Sequence, residues 1–146
     1  MKHMQTALIS LIVVVFSGIL QAQDLDKAKQ EGRMVFYTSW GPSDADYVVK
    51  AFEKKYPPLK VESVRASSEK TLNRLLSEQR AGKFLGDVVA VSGIQSGILK
   101  EKSALDRYQS KEAANFPADW RDPDGYGTGL HQTIYVIGYN AKLVSA

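Results

Sequence analysis

An apolar run, a short polar loop and an amphipathic stretch follow one another three times along the chain. The first run covers residues 34–39, whose β-branched and aromatic side chains predict a buried strand. It stops at the turn signal Gly41-Pro42, after which Ser43 is the predicted N-cap of a helix. Ligands of α/β proteins bind at the carboxyl ends of strands and at helix N-termini. The candidate binding edge therefore begins with Thr38, Ser39 and Trp40.

The other elements follow from the same spacing of apolar positions. The first helix carries apolar residues on one face and ends at Pro57-Pro58; they are Ala45, Val48, Val49, Phe52 and Tyr56. Residues 60–65 predict a second strand with Val61 and Val64 buried. A helix at 69–80, a nearly continuous apolar strand at 87–91 and a helix at 94–102 complete the series. A short helix at 25–31, ended by Gly32, precedes the first strand.

Three strand–helix repeats predict an α/β fold with a parallel sheet and its loops on one edge. The second and third loops bring Ser67, Ser68, Ser92 and Gly93 to the candidate edge. Hydroxyl groups and the free N–H groups of helix starts bind anions well. Plain N-capping by each serine is the alternative interpretation of any single loop. The convergence of three loops favours a ligand-binding edge.

The pattern changes after Leu105. Residues 108–120 lack a clean period and predict irregular chain with short helical turns. Asp122-Pro123-Asp124-Gly125 predicts a tight turn, which accounts for both aspartates without a catalytic carboxylate pair. Residues 133–139 predict a further strand.

The N-terminus has the three-part pattern of a secretory signal peptide. Lys2 precedes the apolar residues 7–16, and Ala22 is the predicted cleavage position, so that residues 1–22 would be removed and 23–146 exported. The apolar run is shorter than the roughly 20 residues of a membrane-spanning helix. An uncleaved membrane anchor is the alternative interpretation.

Composition excludes several classes of function. The 146 residues carry a formal charge of +3 from scattered lysines and arginines, which argues against nucleic-acid binding. The absence of cysteine excludes disulfides and thiolate metal sites. His131 is the one histidine that would remain after cleavage, so a histidine-built metal site is not expected. No catalytic motif stands out, and we expect a binding protein without enzymatic activity or a resident cofactor.

The ordered segments of the chain resemble a known family. The signal peptide is followed by "EGRMVFYTSW", "AFEKKYPPLKVESVRASSEKTLNRLLSEQRAG", "GDVVAVSG", "RDPDGYGTGL" and "YVIGYNAKLV". This set is similar to the periplasmic substrate-binding proteins of ABC importers, in the iron(III)-type extracellular solute-binding family. The resemblance implies a type II periplasmic-binding-protein fold, of which residues 23–146 would form the N-terminal part of lobe one. In that fold, the chain would be an incomplete three-layer lobe with a parallel sheet.

The resemblance also implies a function and a set of contacts. The family captures a ligand between two lobes and delivers it to a membrane permease with its ATPase, so we expect a periplasmic, monomeric protein with ligand contacts at 38–40, 67–68 and 92–93. Iron-binding members carry a histidine after the first strand and an acid after the third, where this chain has Gly41 and Ser92-Gly93. Ferric iron, as cargo, and a small organic or phosphorylated anion both stay open as the ligand.

Two other classes of protein stay open. One is an exported α/β enzyme that uses His131 with an aspartate as its acid–base pair. The other is an independent binding module that is complete at residue 146.

Overall fold

A computed structural model of the chain describes residues 26–134, 136–140 and 142–143. The predicted signal peptide at 1–22 lies outside these residues. The chain divides into two compact units, with the boundary between Ala104 and Leu105. Within the described ranges, no helix is long and apolar enough to cross a lipid bilayer.

The first unit is built on a parallel sheet of three strands. These are β1 (Arg33–Thr38), β2 (Lys60–Arg65) and β3 (Val88–Ala90), in the order β2-β1-β3. Arg33 of β1 is in register with Lys60 of β2, and Thr38 of β1 with Arg65 of β2 and Ala90 of β3. The predicted parallel sheet is confirmed.

Strand β3 covers residues 88–90 rather than the predicted 87–91, and the side chain of Asp87 accounts for its later start. The Asp87 carboxylate oxygen Oδ2 accepts the Val35 N–H at 2.7 Å, in place of a backbone carbonyl. The Asp87 N–H in turn donates to the Val35 carbonyl oxygen at 3.0 Å. The regular ladder therefore begins one residue later, at Val88.

A helix follows each strand, as predicted. The helices are α1 (Pro42–Lys55), α2 (Ser68–Arg80) and α3 (Gly93–Glu101). Residues 26–31 are also helical, and Gly32 ends that turn with a φ of +68°, a conformation that glycine adopts without steric cost. The chain leaves β1 toward β2 and later returns across β1 to β3, so right-handed crossovers put α1 and α2 on opposite faces of the sheet. The structure therefore confirms the predicted fold, which is part of a three-layer α/β lobe.

The core lies between the central strand and the helices. The most buried residues of the first unit are Val35, Phe36, Tyr37, Thr38, Ala45, Thr71, Leu72 and Leu99. Four consecutive residues of β1 are buried because neighbouring strands and helices cover both of its faces. Val61 and Val64 of β2 are half-buried rather than fully buried, since β2 is an edge strand.

Two details of α1 differ from prediction. Its N-cap is Gly41, which has no side-chain hydrogen bond, and Ser43 lies inside the first turn. The helix begins earlier because proline at the first helical position gives up an N–H that would have no helical partner anyway. Val48, predicted on the buried face, is 40% exposed, since the contact with the sheet centres on Ala45.

The second unit contains short turns rather than long elements. Two 3₁₀ helices, Lys111–Asn115 and Ala118–Trp120, occupy the segment predicted to be irregular with helical turns. The predicted turn at Asp122 is confirmed, because the Gly125 N–H donates to the Asp122 carbonyl oxygen at 3.1 Å. Asp122 Oδ1 also accepts the Asp124 N–H at 2.9 Å, so the Asp122 carboxylate takes part in the turn.

The prediction of a strand at 133–139 is wrong at the positions of this segment that the structure describes. Residues 133–134 and 136–139 are neither helix nor strand, and Ile134, Val136 and Ile137 are 79%, 85% and 96% exposed. An apolar, β-branched sequence becomes a strand only beside a partner with free backbone groups and an apolar surface. In the described part of the chain, no strand pairs with this segment.

Candidate functional site

The three predicted loops meet at the carboxyl ends of the strands. Because the strands are parallel, residues 38–40, 67–68 and 92–93 all lie at the same edge of the sheet, each directly before a helix. We call these residues the rim. The strand order reverses at β1, so the rim includes the switch point between β1 and β3, where doubly wound sheets form their ligand crevices.

Ser68 joins the three corners of the rim by hydrogen bonds. Its Oγ donates to Ser39 Oγ at 2.9 Å and accepts the Ser92 N–H at 3.1 Å. Ser39 continues the chain to the third strand, since its N–H and its Oγ donate to the Ala90 carbonyl oxygen at 2.9 and 3.4 Å. The Ser68 side chain is therefore in direct contact with the side chain of Ser39, 29 residues earlier, and with the backbone of Ser92, 24 residues later.

The two neighbouring serines of the second corner have different roles. Ser67 is the N-cap of α2, and its Oγ accepts the Lys70 N–H at 3.3 Å. This is the plain capping that the alternative interpretation predicted. Ser68, one residue later, makes the contacts between corners.

The third corner leaves a helix start without a side-chain cap. Ser92 Oγ bonds to Gln95 Oε1 rather than to a backbone N–H of α3. Beside it, a Cβ added to Gly93 would meet no heavy atom within 4 Å apart from its chain neighbours and the backbone of its own helix, so the space there is open. The first N–H groups of α3 have no partner within the helix, as at any helix start.

Thr38 and Trp40 frame the first corner in different ways. Thr38 is fully buried beneath the rim, where its Oγ1 accepts the Trp40 N–H at 3.1 Å. Trp40 is half-buried, and its ring packs edge-on against Phe36 with 5.9 Å between ring centroids. The buried Thr38 therefore holds the backbone of the first corner in place, and the Trp40 ring covers the Phe36 side chain at that corner.

Arg65 is a rim residue that the sequence analysis missed. It is the last residue of β2, and its Nε donates to the Trp40 carbonyl oxygen at 3.0 Å. Its position at the carboxyl end of a predicted strand was the available signal. The bond to Trp40 depends on the register of β2 with β1, which a single sequence does not specify.

A second polar cluster lies on the face of the sheet, away from the rim. Tyr37 OH donates to Glu78 Oε1 at 2.9 Å, and Arg74 Nε donates to the same oxygen at 2.8 Å. The Arg74 guanidinium also lies 4.7 Å from the centroid of the Tyr37 ring. Burial, and then the hydrogen bond and charge of Glu78, raise the pKa of Tyr37.

A cavity of about 420 Å³ adjoins this cluster. Val35, Tyr37 and Val64 form its apolar floor, and Arg33 and Glu62, which form an ion pair at 3.6 Å, lie among its lining. None of the rim residues lines it. The cavity is therefore a separate feature of the sheet face.

The described residues include no group of three or more histidine, cysteine or carboxylate side chains placed to hold a metal ion. His131 is exposed and lies in the second unit. What the rim offers instead is hydroxyl groups, helix starts and one guanidinium. The helix starts and the guanidinium favour oxyanions over bare cations.

Neither protein-family models nor curated proteins match the chain, but several solved structures are similar to it. The Trichodesmium protein IdiA/FutA, in complex with iron and citrate, is 23% identical, with a TM-score of 0.53 over 65% of this chain and 30% of its own. Iron-bound HitA from Pseudomonas aeruginosa is 15% identical, with a TM-score of 0.53 over 64% of this chain and 30% of its own.

A ferric binding protein from Campylobacter jejuni is 24% identical, with a TM-score of 0.51 over 63% of this chain and 29% of its own. The chain spans about three-tenths of the length of each of these proteins. At these identities the likeness is one of fold. The chain has the fold of part of a lobe of the ferric-binding proteins, as the resemblance in its sequence implied.

Proposed function

We propose that residues 23–146 are the N-terminal part of lobe one of an exported substrate-binding protein that serves an ABC importer. Its role would be to capture ferric iron or a small organic or phosphorylated anion between two lobes and to deliver it to the permease. The observation that carries this proposal is the joining of Ser39, Ser68 and Ser92 at the β1/β3 switch point.

The rim supplies groups suited to an anion or to an anion-bearing complex. The N-terminal ends of α1, α2 and α3 carry partial positive charge and adjoin it. Two of the proteins that share the fold of this chain were solved with iron, and one of these with citrate as well. Ferric iron would then reach the rim with an anion, because the rim itself has no carboxylate or imidazole donors.

Ligand contacts would be divided among the rim residues. Ser39, Ser68, Ser92 and Gly93 would face the ligand, Trp40 would form an apolar wall, and Ser67 and Thr38 would hold the corners in place. A rim on one lobe is half of a cleft, and closure of a second lobe over it would trap the ligand without bond chemistry.

The remaining parts of the proposal concern location and partners. Residues 1–22 would direct export to the periplasm and would be removed after Ala22. The partners would be a membrane permease and its ATPase, and the protein would act as a monomer without enzymatic activity or nucleic-acid binding.

A titration tests the proposed site. Ferric citrate, citrate and inorganic phosphate are added in turn to the chain labelled with ¹⁵N, and backbone amide shifts are followed. Saturable shifts centred on Ser39, Ser68 and Gly93 are expected for at least one probe. Ser39→Ala should weaken that binding, whereas Ser63→Ala, an exposed serine in the middle of β2, should not. Absence of saturable shifts at the rim contradicts the proposal.

A further inference from the structure

The hydroxyl hydrogens of Ser39 and Ser68 already take part in hydrogen bonds within the protein. Ser68 Oγ–H donates to Ser39, and Ser39 Oγ–H donates to the Ala90 carbonyl oxygen. A hydroxyl group has a single hydrogen to donate. What Ser39 and Ser68 keep for a ligand is acceptor capacity, so an oxyanion at the rim needs its donors from elsewhere.

Arg65 is placed to supply those donors. It is exposed at the end of β2 and in register with Thr38 of the first corner. The bond from Nε to the Trp40 carbonyl oxygen uses one of its five N–H groups and holds the guanidinium at that corner. The two Nη groups remain for a further partner.

The surroundings of Arg65 differ from those of Arg33 and Arg74, the arginines that have carboxylate partners on the sheet face. Arg33 pairs with Glu62 at 3.6 Å, and Arg74 with Glu78 at 2.8 Å. Among the described residues, no carboxylate forms an ion pair with Arg65. Its charge is therefore not neutralised within the sheet, although it lies at the edge where three helix starts also favour negative charge.

We propose that Arg65 is the charged ligand contact of the rim and binds an oxyanion group, such as a carboxylate, phosphate or phosphonate. This inference rests on the proposed function and specifies the class of ligand. A guanidinium presents two parallel N–H groups that match the two oxygens of such a group. It also repels a bare ferric ion, so that iron would bind here only as a complex that carries an anion.

Three variants of the full 146-residue chain, compared with the wild type, test the role of Arg65. Binding of inorganic phosphate, citrate and ferric citrate is measured by amide shifts and by calorimetry for the wild type, Arg65→Gln, Arg65→Lys and Arg33→Gln. Arg33→Gln is the matched control, since it removes the same charge from the opposite end of the sheet. Ser39→Ala from the titration above serves as the uncharged rim control.

Loss of the guanidinium should weaken binding of the preferred oxyanion at least about tenfold, as expected for a hydrogen-bonded charge. Arg65→Lys should retain part of the affinity because it keeps the charge, and Arg33→Gln should stay within about twofold of the wild type, as an exposed charge distant from the ligand does. Preference for phosphate identifies a free oxyanion as the ligand, and preference for ferric citrate over citrate identifies an iron complex.

Two results would overturn the assignment of Arg65 and leave the proposed function intact. One is wild-type affinity of Arg65→Gln with the rim shifts preserved. The other is an equal loss in Arg65→Gln and Arg65→Lys together with displaced amide resonances of residues 38–40 before any probe is added, because the lost bond to Trp40 rather than the lost ligand contact would then be responsible. No rim shifts in the wild type with any probe would refute the proposed function, and this inference with it.

Discussion

Ser68 decides how the polar residues of the rim act together. Its neighbours Ser67 and Glu69 serve only the start of α2, whereas its hydroxyl contacts residues from the loops after β1 and β3. A hydroxyl that both donates and accepts can bridge two loops with one side chain. Removal of this group should therefore affect positions far away in sequence.

We expect Ser68→Ala to lower the free energy of unfolding by about 1 kcal/mol, the usual net value of such hydrogen bonds. The Ser92 N–H loses its acceptor, so its amide hydrogen exchange should become faster. Ser67→Ala should cost a similar amount, about 1 kcal/mol, through the loss of a cap, but should leave exchange at Ser92 unchanged. Equal exchange at Ser92 in both variants would contradict the bridging role.

Tyr37 gives the stability of the fold a dependence on alkaline pH. Its pKa is raised in the folded chain, chiefly by burial and also by Glu78, so folding favours the neutral phenol. That contribution is complete below the ordinary tyrosine pKa of 10.0 and is lost as the pH rises through the higher folded value. Unfolding by urea at several pH values from about 9 to about 11 measures it. Tyr37→Phe should flatten this part of the pH profile of stability. An unchanged profile in this variant would contradict the role given to Tyr37.

At the residue scale, the sequence identified the serine side chains of the rim but neither Arg65 nor the hydrogen bonds that join these residues. Ser39, Ser68 and Ser92 follow apolar strands, and that pattern is visible without a structure. The burial of Thr38 and the bond of Arg65 to Trp40 depend on strand register and order. Register is set by contacts between residues distant in sequence, which one sequence does not record.

At the scale of elements, the strands and helices of the first unit follow from periodicity because each has a partner to bury its apolar face. The prediction for 133–139 had the same kind of pattern, and these described positions lack such a partner. Local preference therefore predicts structure only where packing supports it. Strand β3 shows a finer limit, since a single carboxylate of Asp87 shortened it.

Two glycines in helices and turns should respond to alanine in opposite ways. Gly97 lies inside α3 with no heavy atom within 4 Å of an added Cβ, so Gly97→Ala should raise the free energy of unfolding by about 0.5–1 kcal/mol. Gly32 has a φ of +68°, and Gly32→Ala should lower the free energy of unfolding by about 1 kcal/mol. Urea unfolding of the two variants measures both values. Changes of the same sign would contradict the backbone conformations described for these positions.

At the scale of the whole molecule, the chain combines a packed three-layer unit with a second unit of turns and exposed apolar residues. The fold class was predictable because strand–helix repeats admit few arrangements under the right-handed crossover rule. The identity of the ligand was not predictable, because the rim supplies contacts from one side only. The matched proteins are more than three times as long as the matched segment.

The order of the rim residues along the chain has a consequence for synthesis. The hydrogen bonds by which Ser39, Ser68 and Ser92 join the three corners fall between positions 39 and 92, and the last helix that adjoins them ends at Glu101. A ribosome releases its product from the amino end, so every group of this surface is available before any later residue has emerged. Nascent chains halted at increasing lengths should then acquire the link between Ser39 and Ser68 as a single early event.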